Sequence, residues 1–293
     1  MDTEHDFITQ REGSAWITIH RSLAQDPIVK TLGDPDHFFD TPECEVVKDQ
    51  RKIKVARVRL LIRESVKTIY LKRYNAFSWR YRFASLFQLS GAKKSLAGAT
   101  ILAESGLRTV YPLAAVESRH WGLLNKSFFL SEEIEGGKTA DTYWKEEIRS
   151  LKGKDGLVRR REFLRGLGDL FRLLHSQNIY HNDLKDANIL VAPHSSAGNC
   201  FYLLDLEGIR RYRKLNRRRR IKNLVQLNRT LGKYLRPKEK AIFLKSYFES
   251  SNSNRMTKRN CISSVLKLSN RLDHIRGLRT SDVVIKGEAT NDC

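Results

Sequence analysis

Tyr180-His181-Asn182-Asp183-Leu184-Lys185-Asp186-Ala187-Asn188-Ile189-Leu190-Val191 lies between a helical pattern and two β-rich runs. Upstream, Val158 to Ser176 places apolar residues at Phe163, Leu164, Leu167, Leu170, Phe171 and Leu174, which is helical spacing. Downstream, Asn188-Ile189-Leu190-Val191 and Phe201-Tyr202-Leu203-Leu204 are short apolar runs, with a loop expected at Pro193–Asn199. The second run ends in Asp205-Leu206-Glu207. One Asp in a loop is ordinarily a turn former, and one Asn before a strand is ordinarily a cap. The ordered set, with these flanks, is a stronger signal than any member of it.

The spacing matches the kinase segment His-x-Asp-x-x-x-x-Asn, followed after a hairpin by a metal-binding Asp. Phosphoryl transfer asks for positioning and charge neutralisation more than for covalent chemistry. Asp183 is the candidate to orient an attacking hydroxyl or accept its proton. Lys185 is placed to steady the transferring group. Asn188 and Asp205 are candidate oxygen ligands for Mg²⁺, which favours a few protein oxygens with phosphate and water completing its shell. His181 is assigned a structural role as a buried organiser of the loop.

Before this segment, Glu45 to Tyr74 is strand-like. Val55 to Ile62 and Thr68 to Tyr74 are joined by Arg63-Glu64-Ser65, which predicts an antiparallel hairpin. Lys72 lies late in that hairpin, where kinases place the lysine that holds the α- and β-phosphates. Alternation puts Tyr70 and Tyr74 on its face of the strand. Val46 to Lys52 occupies the likely nucleotide loop without glycine, and Glu104, at a helix end, is a poor candidate carboxylate partner for Lys72. Further elements predicted are a strand at Trp16–His20, a turn at Gly33–Asp36, a helix at Lys93–Glu104 and a strand at Ser127–Ile134. Glu135-Gly136-Gly137 reads as a joint. Helices follow at Lys214–Leu235, Glu239–Phe248 and Ser263–Leu272, with a polar, disordered tail beyond Thr280. The fold class is α+β, two-lobed and protein-kinase-like. Residues 1–130 form a β-rich N-lobe with an extension at 1–40, and 131–293 form a mainly helical C-lobe.

The 293 residues carry 54 basic and 33 acidic side chains, a net charge of +21. Such an excess attracts polyanions: nucleic acid, anionic lipid or phosphorylated substrates. It is densest from Arg210 to Lys222, around Arg217-Arg218-Arg219-Arg220. Cys44, Cys200, Cys261 and Cys293 are far apart, form no metal-ligand pair, and read as reduced thiols. No apolar run reaches membrane-spanning length, and the acidic start lacks a signal-peptide pattern, so the expectation is a cytoplasmic protein.

The chain resembles the bacterial lipopolysaccharide kinases, which include Kdo (3-deoxy-D-manno-octulosonic acid) kinases and core heptose kinases. The resemblance runs from about Val46 to about Arg229. It rests on Thr68 to Tyr74, Gly106 to Ala114, Leu130-Ser131-Glu132-Glu133-Ile134, His181 to Leu190 and Leu204-Asp205-Leu206-Glu207. In that family Asp-Leu-Glu commonly replaces Asp-Phe-Gly, and a glycine-poor nucleotide loop is tolerated. The resemblance implies ATP and Mg²⁺ as cofactors, with nucleotide contacts at Lys72, Glu132 and Ile134. It also implies phosphorylation of a sugar hydroxyl of the lipopolysaccharide inner core at the cytoplasmic face of the inner membrane. The basic charge suits an anionic glycolipid at a surface, where each basic residue contributes about 1 kcal/mol. No nucleic-acid partner is expected. Two rivals remain at this stage. One is another kinase-like phosphotransferase acting on a small molecule or a protein hydroxyl, disfavoured because cationic acceptors call for acidic pockets. The other is a pseudokinase that binds nucleic acid or anionic membrane through Arg210–Lys222, disfavoured by the intact Lys72, Asp183, Asn188 and Asp205.

Overall fold

The computed structural model describes residues 6–76, 78–194, 198–249 and 255–288. In chain order the elements are β1 (Phe7–Glu12), β2 (Ala15–His20), α1 (Ile28–Thr31), β3 (Cys44–Asp49), β4 (Ile53–Ile62), β5 (Ser65–Asn75), α2 (Trp79–Ala84) and α3 (Gly91–Glu104). Then come β6 (Pro112–His120), β7 (Leu123–Glu132), β8 (Lys138–Thr139), α4 (Ala140–Tyr143), α5 (Gly153–Ser176), β9 (Ile179–His181) and β10 (Ile189–His194). The chain continues through β11 (Gly198–Leu203), β12 (Ile209–Arg211), α6 (Arg217–Arg229), α7 (Pro237–Tyr247) and α8 (Arg255–Glu288). Contacts group residues up to Gly137 with Ala192–Arg211 as one unit, and Lys138–Val191 with the chain from Tyr212 as the other. The segment 192–211, assigned from sequence to the C-terminal lobe, thus groups with the β-rich unit. The centre of the loop expected at Pro193–Asn199 lies outside the described residues.

The first unit is built on a seven-stranded antiparallel sheet in the order β1-β2-β6-β7-β5-β4-β3. The expected hairpin is β4–β5, closing with Ile62 opposite Ser65. Its two-residue turn puts Arg63 and Glu64 at φ 49° and 61°, the left-handed conformation such turns need. Neither residue is glycine. Asp26 accepts the Arg63 N–H at 2.9 Å, and Ser22 O accepts its guanidinium, so the turn is held from outside. Alternation sends Ile69 and Leu71 to one face of β5, where both are fully buried with Ile17, Ile19, Val58 and Leu130. Leu23, Ile28, Leu32 and Phe38 join that cluster. Residues 6–40, whose role was open in the sequence, therefore supply two strands and the cover of one sheet face. Asp36 ties that cover down, accepting from Arg73 at 2.8 Å and from Lys126. Burial alone would raise the Asp36 pKa, but these two cations hold it below the ordinary value.

The other face of β5 meets α3. Ser90 caps this helix by accepting the Lys93 N–H at 3.2 Å, and it ends at Gly106, φ +68°. Ala92, Leu96, Ala99 and Leu102 form its buried stripe. Gly98 is the point of closest approach: a Cβ there would overlap the backbone carbonyl of Leu206. The helix therefore lies directly on the Asp205-Leu206-Glu207 turn.

In the second unit, Phe163, Leu164, Leu167, Leu170, Phe171 and Leu174 of α5 are buried, as their spacing predicts. Phe171 meets Phe243 of α7 edge-on at 5.5 Å. The helix expected to run to Leu235 instead ends at Arg229. There the Thr230 hydroxyl bonds back to the carbonyls of Gln226 and Leu227, and a 3-10 turn follows at Leu231–Tyr234. Such back-bonding competes with helix propagation. The helix expected at Ser263–Leu272 is longer, and α8 continues to Glu288 where a disordered tail was expected. Among the described residues no helix is long and apolar enough to cross a membrane.

Candidate active site

The loop after β9 gathers its polar side chains around Asp183. Lys185 Nζ donates to Asp183 Oδ2 at 2.7 Å. Asn188 Nδ2 donates to the Asp183 carbonyl at 2.7 Å and to Oδ2 at 3.3 Å. With its amide nitrogen so engaged, Asn188 turns its Oδ1 to other use, and a hard amide oxygen suits a divalent cation. The Asp183 N–H donates to His181 Nδ1 at 3.2 Å, and His181 is fully buried. His181 is therefore the organiser that its position predicted, with Nδ1 as acceptor.

Two residues of α6 hold the loop from below. Gln226 Nε2 donates to the Asn182 carbonyl at 2.8 Å and to Asp183 Oδ1 at 3.4 Å, while its Oε1 accepts the Leu184 N–H at 3.1 Å. Asn223 Nδ2 donates to the His181 carbonyl at 2.5 Å and to Gln226 Oε1 at 3.1 Å. Asn223 Oδ1 lies 3.3 Å from His175 Nε2, and His175 Nδ1 lies 2.9 Å from the Tyr247 hydroxyl. Burial lowers the His175 pKa to about 4, so the ring is neutral at pH 7. An amide oxygen only accepts. Nε2 therefore carries the proton, and Nδ1 accepts from Tyr247. The result is a buried relay from α7 through α5 and α6 to the carboxylate of Asp183.

In the first unit, Lys72 Nζ donates to Asp205 Oδ1 at 2.6 Å. Burial opposes the Lys72 charge, but the fields of Tyr74, Asp205 and Glu207 outweigh it and raise its pKa. Its ammonium lies 4.9 Å from the Tyr74 ring centroid. Tyr74 is fixed in turn by Ser95 of α3, oxygen to oxygen 2.8 Å. Burial raises the Glu207 pKa; Lys72 pulls it down and Asp205 pushes it up. Asp205 itself sits at φ 57°, a left-handed conformation at which Asp is tolerated. The strand leading to it is clamped by Thr109, whose hydroxyl donates to Leu203 O at 2.6 Å. Glu104 pairs with Arg211 at 2.8 Å, so the carboxylate seen on Lys72 is that of Asp205.

Glu132 is the last residue of β7, and Ile134 follows two positions on. Glu132 accepts from Lys67 through its side chain, and its N–H donates to Tyr111 O at 2.9 Å. Ile134 accepts the Gly137 N–H at 3.2 Å. Among the described residues no group of three or more His, Cys, Asp or Glu forms a metal cluster. An apolar cavity of about 420 Å³ in the second unit, lined by Leu167, Leu224, Leu227, Phe243 and Ile262 among others, includes none of Asp183, Lys185 or Asn188.

The structure thus brings together Asp183, Lys185 and Asn188 in one unit, and Lys72 with Asp205 in the other. Sequence reasoning missed Gln226, Asn223 and His175. No local signal marks them, because each is a polar residue within an amphipathic helix. The run Arg217–Arg220 also proves to be divided in purpose. Arg217 donates to Asn260 O at 3.2 Å, Arg220 donates to His175 O at 3.1 Å, and Arg219 lies against tyrosine rings.

The model of the lipopolysaccharide kinase (Kdo/WaaP) family matches residues 44–247. Among solved structures, the chain described as "WaaP in complex with acyl carrier protein" superposes with TM-score 0.61 at 18% identity, over 84% of this chain and 97% of that one. At that identity the likeness is one of fold. Comparison with curated proteins gives no match.

Proposed function

Because the chain belongs to the lipopolysaccharide kinase (Kdo/WaaP) family, a family of kinases, we propose that it transfers the γ-phosphoryl group of ATP to a sugar hydroxyl of the lipopolysaccharide inner core. The observation that carries the proposal is the pinned carboxylate of Asp183. Lys185, Asn188 and Gln226 leave it one orientation, and at 44% side-chain exposure it remains open to an incoming hydroxyl.

In this reading Asp183 orients the acceptor hydroxyl and takes its proton as the new P–O bond forms, and ADP departs as the γ-phosphorus leaves the β–γ bridging oxygen. Lys185 balances the Asp183 charge and donates to the transferring phosphoryl oxygens. Lys72 holds the α- and β-phosphates, with Asp205 keeping its ammonium in place. Glu132 and Ile134 supply backbone groups to the adenine. Asn188 Oδ1 and the Asp205 carboxylate are the hard oxygens that would hold Mg²⁺, and the ion would neutralise phosphate charge. The work site is the cytoplasmic face of the inner membrane, approached as a peripheral protein.

The test is transfer of labelled γ-phosphate to purified inner-core glycolipid, with mass spectrometry of the core for one added phosphate. Label recovered only as free phosphate, or on no core sugar, would remove the proposal.

A further inference from the structure

The face of α6 that holds the catalytic loop continues beyond Gln226 in a way that loop support does not require. Gln226, Lys222 and Arg219 are spaced at i, i−4 and i−7, so all three lie on one side of the helix. Lys222 Nζ donates to Asn182 Oδ1 at 3.1 Å, one residue from Asp183. The same ammonium lies 5.5 Å from the ring centroid of Tyr180, and the Arg219 guanidinium lies 4.1 Å from that of Tyr212 and 6.0 Å from that of Tyr180. Tyr212 is kept beside the loop by its N–H, which donates to Asn178 O at 3.0 Å. Arg217 and Arg220 spend their guanidinium groups on carbonyl oxygens. Arg219 and Lys222 have no carboxylate partner among the described residues. Four arginines in the first turn of a helix oppose its dipole, which disfavours cations there. Two of them secure the helix. Arg219, stacked and unpaired, does not.

We propose that Arg219 and Lys222, backed by Tyr180 and Tyr212, form the acceptor subsite and bind an anionic group of the acceptor while Asp183 receives its hydroxyl. The inference rests on the kinase reading above and assigns residues to the acceptor side of that site. The chemistry fits. A guanidinium on an aromatic face keeps its N–H edge free for a carboxylate or phosphate. The bond from Lys222 to the Asn182 side chain places the subsite beside the loop that carries Asp183.

The experiment uses the full chain and steady-state transfer from ATP to an inner-core acceptor containing one 2-keto-3-deoxy sugar acid. Charge-assisted hydrogen bonds of this kind correspond to roughly 10–100-fold in affinity. Arg219→Gln together with Lys222→Gln is therefore expected to raise the acceptor KM at least ~10-fold, with kcat and the KM for ATP near wild type. Two further arms alter the acceptor, and their wild-type readings stand even if the double variant folds poorly. One esterifies the acceptor carboxyl group; the other removes the acceptor's lipid phosphates. Whichever anion occupies the subsite, its removal should reproduce the KM increase, and the double variant should lose nothing more on that acceptor. An unchanged KM in the variant would overturn the subsite. So would a penalty that persists on an acceptor lacking both anions. Absence of transfer by the wild type to every core acceptor is a different result and would overturn the kinase reading along with it.

Discussion

Lys72 Nζ and Asp205 Oδ1 lie 2.6 Å apart although 133 residues separate them in sequence. In the proposed kinase reading, Asp205 takes the place of the helix glutamate that holds the corresponding lysine of a protein kinase. The one glutamate of α3, Glu104, is taken by Arg211. Lys72→Met and Asp205→Asn are each expected to lower kcat by about 10²–10³-fold, the usual cost of one lost electrostatic contact to a transition state. Because they share one interaction, the double variant should lose much less than the product of the two losses. Steady-state rates of the three variants measure this; full multiplicativity would show that the two side chains act apart.

Asp183→Asn keeps the shape of the loop and removes the proposed base. The expected loss is about 10²–10⁴-fold in kcat, with the thermal midpoint within a few degrees of wild type. Near-normal turnover would show that another group takes the proton.

Gln226 makes three hydrogen bonds to the catalytic loop and accepts one from Asn223. Gln226→Leu keeps the volume and removes all four. Each is worth on the order of 1 kcal/mol, so stability should fall by about 1–3 kcal/mol in urea titration. A fall in kcat without a change in the KM for ATP should accompany it. Gln226→Glu retains the acceptor and should recover part of the stability but little of the rate, since a second carboxylate would face Asp183.

His175 gives a signed dependence on pH. Its folded pKa, about 4, lies below the ordinary value of 6.5, and burial is the main cause. The unfolded chain therefore binds the proton more readily, and stability is lost as pH falls from about 6.5 toward about 4. The loss amounts to about 3 kcal/mol when complete. His175→Gln should flatten this part of the urea-midpoint profile relative to wild type. Parallel profiles for the two proteins would show that other groups set the acid limb.

Gly98 is where α3 touches the backbone of Leu206. Gly98→Val must push the helix from the turn that carries Asp205 and Glu207. Overpacking of this kind costs about 1–3 kcal/mol, and kcat should fall with it because the Lys72–Asp205 pair spans the displaced parts. Gly106→Ala, at a left-handed position open to solvent, is the control: it should cost stability without changing the rate of the folded fraction.

Much of the loop around Asp183 was legible in the sequence, because its polar residues are concentrated in one stretch. Asp183, Lys185 and Asn188 fall within six residues, and the chain between them has few ways to turn. The β4–β5 hairpin was legible too, since alternation and a short polar link specify both its strands and its closure. The boundaries of α6 and α8 were misjudged. Periodicity marks a helical face but is blind to the Thr230 hydroxyl that stops one helix, and it fades in the polar stretch through which the other continues.

The sequence by itself determined the fold class, the polar loop around Asp183 and the strand that bears Lys72, because each is written in local spacing. Tertiary structure decided the partner of Lys72, the relay from Tyr247 through His175 and Asn223, and the division of Arg217–Arg220 into anchoring and ring-stacked members. It also decided that residues 6–40 finish the sheet and cover one side of it. All of these depend on which buried face meets which. Hydrophobic pattern says that a face will be covered; only the packing of distant segments says by what.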